Sequence, residues 1–434
     1  MIQEFRLNNF FSFSNEEVLT FEASTDKEYQ SQYCVEIKPG LKLLKLGVIY
    51  GANASGKTNI LKGLDFIRDF ILKQKSNKSA QTDFIPFLLN PENEKKPGKL
   101  YLSFFIDKYK YVYNLTISKD IVLEENLSYY PSTQPASVFE RYYDEKSKKS
   151  IIKFGKKINL TKNEKNLIEG ITISNSSVLS SYSKTNTSKT ILDEIYEWFE
   201  NHFMKVVKPK TDLFGFTSNR IEENNECKEF VLEVLQKADF NISSIEIEEE
   251  EISIDDNLKT QILNSDIPKD IQNDFIQKGK IKAKDLTFTH KVDNFEKKFP
   301  RNLESSGTMR YYGLGGILNK LIKSNNFLMI DELENSLHYD LVSHFIKTFL
   351  MNSSNSQLLC TTHDINLLNE DFIRRDTVWF TEKDENGSTK INSLLDFKLH
   401  KNLSPFNAYK VGKLGAKPEL GDIIISDYGK KKEN

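Results

Sequence analysis

Gly51-Ala52-Asn53-Ala54-Ser55-Gly56-Lys57-Thr58 satisfies the pattern G-x-x-x-x-G-K-[ST] at every position. The run before it, Leu41 to Tyr50, reads as a strand that ends in buried-type residues. The run after it carries Ile60, Leu61, Leu64, Ile67, Phe70 and Ile71 at helical spacing. Strand, glycine loop and helix in that order are the context in which this pattern binds phosphate. Gly51 and Gly56 allow a tight backbone, and the segment Asn53, Ala54, Ser55, Gly56, Lys57, Thr58, Asn59 supplies successive N–H groups as a concave nest at a positive helix end. Lys57 brings a full charge to the β/γ-phosphates, and the Thr58 hydroxyl is an oxygen ligand for Mg²⁺.

A second α/β half follows from about Leu303. Its expected elements are a helix over Met309 to Ile322, a strand Phe327 to Ile330, a helix Asp340 to Met351, a strand Leu358 to Thr362 and a last strand Thr377 to Phe380. Ligands of a parallel sheet sit beyond the carboxyl ends of its strands, so Asp331 and Glu332, directly after Phe327-Leu328-Met329-Ile330, are expected to face the same phosphates. Asp331 suits Mg²⁺ support. Glu332 is placed to orient or deprotonate an attacking water. His363 follows the next strand, where an imidazole donates to a γ-phosphate or senses its loss.

Composition bounds the rest. The chain has 434 residues, 38% hydrophobic and 28% charged, enough for a large core and too apolar for wholesale disorder. With 60 Lys+Arg against 62 Asp+Glu the net charge is -2, so no global positive field drives nucleic-acid binding, although Lys146 to Lys157 offers a local basic patch. Cys34, Cys227 and Cys360 are too scattered for a disulfide framework or a metal set, and no apolar run reaches membrane-span length. A cytoplasmic protein without membrane attachment is therefore expected. Ile2 to Leu7 and Val18 to Phe21 read as an opening β-hairpin, and Leu100 to Ile106 with Tyr109 to Ile117 as another. Residues 146–188 are dense in Lys, Asn, Ser and Thr and read as exposed connections. Ile191 to Val206 and Phe230 to Leu235 read as helices, Ile245 to Glu248 and Leu286 to Val292 as strands, the acidic run Glu248 to Glu251 as a solvated edge, and the end of the chain through Lys430-Lys431-Lys432 as frayed. The expected division is 1–145 as the first half of the core, 146–300 as an inserted mixed subdomain, and 301–434 as the second half.

Leu303-Glu304-Ser305-Ser306-Gly307-Thr308-Met309-Arg310 is, by itself, a small-residue turn with a serine N-cap. Taken with the phosphate loop, the acidic strand and His363 in that chain order, it resembles the signature motif of ABC-type ATPases of the SMC/OLD-like branch. The resemblance implies an α/β ABC-type P-loop ATPase core with an N-terminal β-hairpin lobe and an inserted mixed α/β subdomain. It also implies ATP and Mg²⁺ as ligands, Glu332 and His363 as catalytic residues, and Ser305, Ser306 and Gly307 closing over nucleotide held by a second copy. A homodimer or larger homo-oligomer follows. No glutamine-loop equivalent can be placed; Gln81 and the segment Pro86-Phe87-Leu88-Leu89-Asn90 are the candidates.

More narrowly, Phe5 to Phe10, Asp331 to His338 and Asn407 to Pro418 resemble stand-alone bacterial ATPases of phage-defence and abortive-infection systems of the AbiL, RloA-like and AriA-like types. That implies a sensor or regulator of a separately encoded nuclease or toxin. The stretch after His363 has no strand-terminal Glu followed by Asp-x-Asp, so an appended Toprim nuclease is not expected. The alternative function is a repair ATPase that clamps DNA, recognisable by DNA-stimulated, salt-sensitive ATPase activity.

Overall fold

The computed structural model describes residues 1–255, 257, 259, 276, 278–399 and 403–415. The chain forms two compact units: Met1–Pro209 with Ser324–Leu333 and Ser354–Asn434, and Lys210–Lys323 with Glu334–Ser353.

The first unit is built on two main sheets. One is antiparallel, with strands β1 (Ile2–Asn8), β2 (Glu17–Thr20), β6 (Gly98–Ile106), β7 (Tyr109–Ile117), β8 (Val122–Tyr130), β9 (Ala136–Asp144) and β10 (Lys149–Phe154) in the order β10-β9-β8-β7-β6-β1-β2. Both expected hairpins are present as β1/β2 and β6/β7. The other sheet contains β5 (Leu46–Gly51), β14 (Phe327–Ile330), β15 (Gln357–Thr361), β16 (Val378–Lys383) and β17 (Thr389–Ser393) in the order β14-β15-β5-β16-β17. Its first four strands are parallel, and β5, β14 and β15 are buried throughout, as strands covered on both faces require. The chain is thus mixed α/β.

Leu41 to Tyr50 is two strands rather than one. Lys45 interrupts it: β4 (Leu41–Leu44) pairs with β3 (Cys34–Lys38), and the Lys45 carbonyl accepts from Leu358 N at 2.8 Å as the chain passes into the parallel sheet. Nor is Val378–Lys383 the last strand, since β17 folds back on it.

Residues 146–188 differ most from expectation. They hold β10, helix α2 (Lys162–Ile171) and helix α3 (Val178–Tyr182), and Asn175, Ser176, Ser177, Ser180 and Ser181 are fully buried. The cause lies outside the segment, in a buried ion pair. Arg141 Nη1 meets Glu125 Oε2 at 2.9 Å with both side chains shut off from solvent. Nη1 also reaches Ser176 O, Nη2 reaches Ile173 O at 3.1 Å and Ser174 O at 3.2 Å, and Glu125 accepts from Val178 N and from Tyr113 Oη at 2.9 Å. Burial pushes the Glu125 carboxyl up and the Arg141 guanidinium down, with their mutual attraction opposing both shifts. The polar segment can be buried here because its carbonyls find donors in Arg141 and in the backbone of Val122 and Ser176.

Helix α1 (Lys57–Leu72) and helix α4 (Ile191–Asn201) complete the core of this unit. After α4 the chain runs beside β14, where Phe203 and Val207 bridge Phe327 and Ile330, so the expected helix stops short of Val206.

The second unit contains helices α5 (Phe214–Glu223), α6 (Asn225–Lys237), α7 (Ser306–Lys323) and α8 (Tyr339–Asn352), with an antiparallel sheet of β11 (Ile242–Ser253), β12 (Lys280–Val292) and β13 (Phe295–Pro300) in that order. Glycines on α7 let α5 approach. A Cβ on Gly316 would lie 2.8 Å from Thr217 Cβ, and Thr217 Oγ1 donates to Gly313 O at 2.9 Å.

Residues 146–209 stay with the first unit because β10 pairs with β9, and residues 306–323 belong to the second because α7 packs on α5 and α6. The acidic run falls on edge strand β11, but the side chains of Glu249 to Glu251 lie outside the described residues, as do Ala416 to Pro418 and Lys430 to Lys432.

Candidate functional site

The site is assembled at the carboxyl ends of the parallel strands. Register pairs Ile330 with Cys360, Cys360 with Val48 and Thr361 with Ile49, so β14, β15 and β5 end side by side at Asp331, Thr362 and Gly51. Beyond β5 the loop turns through Ala54 at φ 62° and Gly56 at φ 113°. Gly56 occupies the N-cap of α1 with no side-chain cap, and the first turn holds no acid, so the helix end is left to an external anion. Gly51 is needed for space, since a Cβ there would lie 2.5 Å from Ser55 Oγ and 2.6 Å from Thr381 O.

Lys57 is 5% exposed, and its ammonium donates to Gly51 O at 2.8 Å and Ala52 O at 3.2 Å. His363 Nδ1 lies 3.5 Å from the same nitrogen, a contact in which the neutral imidazole with a bare Nδ1 accepts. His363 itself is exposed.

Thr58 Oγ1 stands 3.1 Å from each carboxylate oxygen of Asp331. Asp331 also accepts from Thr361 Oγ1 at 2.7 Å, and the same hydroxyl accepts from Glu332 N at 2.9 Å. One threonine therefore fixes both acids. Glu332 takes φ 49°, a left-handed backbone that costs a non-glycine residue about 1–2 kcal/mol, and its side chain stays half-exposed at the end of the sheet. Backbone strain of this kind clusters at functional sites, which makes Glu332 a candidate.

A hydroxyl and a carboxylate converging this way fit Mg²⁺, which binds through one or two such oxygens plus substrate phosphates instead of a full protein cage. No group of three or more His, Cys, Asp or Glu side chains suited to a metal occurs among the described residues. Thr58 and Asp331 would hold the ion, whose chemistry is to neutralise phosphate charge.

The side chains of Ser55 and Asn59 have partners within the unit. Ser55 Oγ pairs with Thr381 Oγ1 at 2.6 Å, while Asn59 gives its amide to Ser12 Oγ at 2.9 Å and its N–H to Gly56 O at 2.9 Å. Both brace the loop. Asn53 and Ala54 remain exposed along it. Sequence reasoning passed over the rest of the brace: Thr381, opposite Gly51 in the β5/β16 register, and Thr389, whose Oγ1 donates to Ser55 O at 2.8 Å. Threonines at strand ends carry no pattern that marks them. Of the glutamine-loop candidates, Gln81 is exposed, and Asn90 turns its amide oxygen to Glu92 N. The Pro86 to Asn90 segment is held by Asn9, which accepts from Phe87 N at 3.1 Å and donates to Asn93 O at 2.8 Å.

In the second unit, Ser305 caps α7 by accepting from Thr308 N at 3.0 Å. Ser305 and Ser306 are exposed, and a Cβ on Gly307 would come within 2.9 Å of Ser336 O.

Removing the Lys57 ammonium deletes the one full positive charge inside the loop. Lys57→Ala is expected to weaken ATP binding about a hundredfold, the scale of a lost charge-assisted contact; unchanged affinity in a fluorescent-nucleotide titration would refute this assignment.

No helix among the described residues is long and apolar enough to cross a membrane. No curated protein matches the chain. Among solved structures it is similar to the SMC head domain from Thermotoga maritima, at 12% identity and TM-score 0.42, over 90% of this chain and 98% of that one. It is also similar to a Pyrococcus furiosus Smc head domain with an extended coiled coil bound to the C-terminal domain of ScpA, at 13% identity and TM-score 0.38, over 94% and 98%. Residues 46–369 match the family model described as "AAA domain, putative AbiEii toxin, Type IV TA system", and the chain belongs to that family, as a P-loop ATPase of the AAA kind.

Proposed function

We propose that two copies of this ATPase close head to tail on ATP, each holding nucleotide on its own phosphate loop and covering its partner's with the turn Ser305 to Gly307. The observation that carries the reading is the chemistry of that turn. It is an exposed helix N-terminus with a serine hydroxyl, a second anion-binding end in a chain whose first, at Gly56 to Thr58, already has its lysine and acids. Hydrolysis then opens the dimer. Glu332 takes a proton from water as its oxygen attacks the γ-phosphorus; the bond from that phosphorus to the bridging oxygen breaks, and ADP leaves with the electron pair. His363, beside Lys57, reports the state of the γ-phosphate.

The cellular role in this reading is a sensor that restrains or releases a separately encoded nuclease or toxin during phage infection. The family description and the resemblance to AbiL-type, RloA-like and AriA-like ATPases support it.

Ser306→Arg tests closure directly. A bulky cation at the helix end is expected to abolish ATP-dependent self-association while ATP affinity at low protein concentration stays within about twofold, since the loop of the same chain is untouched. Equal loss of both would remove the trans assignment.

A further inference from the structure

The turn that the proposed dimer uses is almost bare. Across residues 301–306 only Glu304 is not exposed, and its side chain retains 7% of its surface. Leu303 beside it is 67% exposed. The Glu304 carboxylate is held by the sheet, where His290 Nε2 lies 2.6 Å from Glu304 Oε1. His290 belongs to β12 and shares a face with Leu286 and Phe288, both fully buried. Phe288 meets Tyr312 of α7 edge-on at 5.6 Å. One face of β12 therefore grips the signature helix twice, by an aromatic contact along its length and by a charge-assisted hydrogen bond next to its first turn.

Resting on the dimer reading above, we propose that Glu304 is a positioning residue, whose bond to His290 locks the turn Ser305 to Gly307 to the three-stranded sheet and sets how well that turn meets a partner's nucleotide. Ser305 and Ser306 are exposed and the Ser305 hydroxyl bonds within the turn, to Thr308, so the tether is what ties their direction to the sheet.

The test uses the full chain with ATP and Mg²⁺. Glu304→Ala and His290→Ala are each expected to lower kcat about tenfold, the scale of one charge-assisted hydrogen bond, with ATP affinity at low protein concentration unchanged. Glu304→Gln, which keeps an acceptor for the Nε2 proton, is expected to turn over near the parent rate. The double alanine variant should be no slower than either single one, as two halves of one interaction require. Parent-like kcat in both alanine variants, or equal losses in Glu304→Gln and Glu304→Ala, would overturn the tether. Ser306→Arg measured alongside separates the two ideas: if it self-associates with ATP as the parent does, the dimer reading fails and the tether with it, whereas a Ser306→Arg defect without a Glu304→Ala defect sinks the tether alone.

Discussion

Glu332→Gln is expected to slow ATP hydrolysis about a thousandfold while nucleotide stays bound. Positioned general bases contribute roughly a hundred- to ten-thousandfold, and glutamine keeps the size and acceptor oxygen of the side chain while losing the capacity to take a proton. The backbone should not object, because Glu332 is fixed through its N–H on Thr361 Oγ1 and not through its carboxylate. Asp331, which carries the Thr58 and Thr361 contacts, is unaltered. Phosphate release measured in single turnover, next to equilibrium ATP binding, separates the two effects. A variant that hydrolyses within tenfold of the parent would move the base elsewhere.

Arg141→Ala is expected to destabilise the first unit by about 3–5 kcal/mol, the range for breaking a buried ion pair by removing one partner. The loss is large because Glu125 would stay buried without its countercharge, and because the buried carbonyl of Ser176 would lose the Arg141 donor. A Glu125→Gln/Arg141→Met double variant, which removes both charges, should recover part of the loss. Urea denaturation gives the number; a cost under about 1 kcal/mol would mean that the segment through Ser177 is held by something other than this pair.

That pair also marks the limit of what the sequence reveals. The loop Gly51 to Thr58, the acids after β14 and the histidine after β15 are legible because each is a local signal: a strand pattern, a glycine spacing, a charge at a strand end. The braces are not. Thr361 orders Asp331 and Glu332, and Thr381 packs on Gly51 and Ser55, yet a threonine at the end of a strand looks the same whether or not it does this. Ser174 to Ser181 reads as a solvated linker because burial of serines depends on Glu125 and Arg141, dozens of residues earlier. The pairing of β10 with β9 is a tight hairpin, with Lys149 opposite Asp144, but it lies in a stretch whose polar composition hides the second strand.

Sedimentation velocity of the Glu332→Gln chain with saturating ATP and Mg²⁺ tests most directly whether two copies share their nucleotides. The account predicts a shift to a dimer with ATP that is absent with ADP, in Lys57→Ala and in Ser306→Arg. A species that remains monomeric while ATP is demonstrably bound would contradict it.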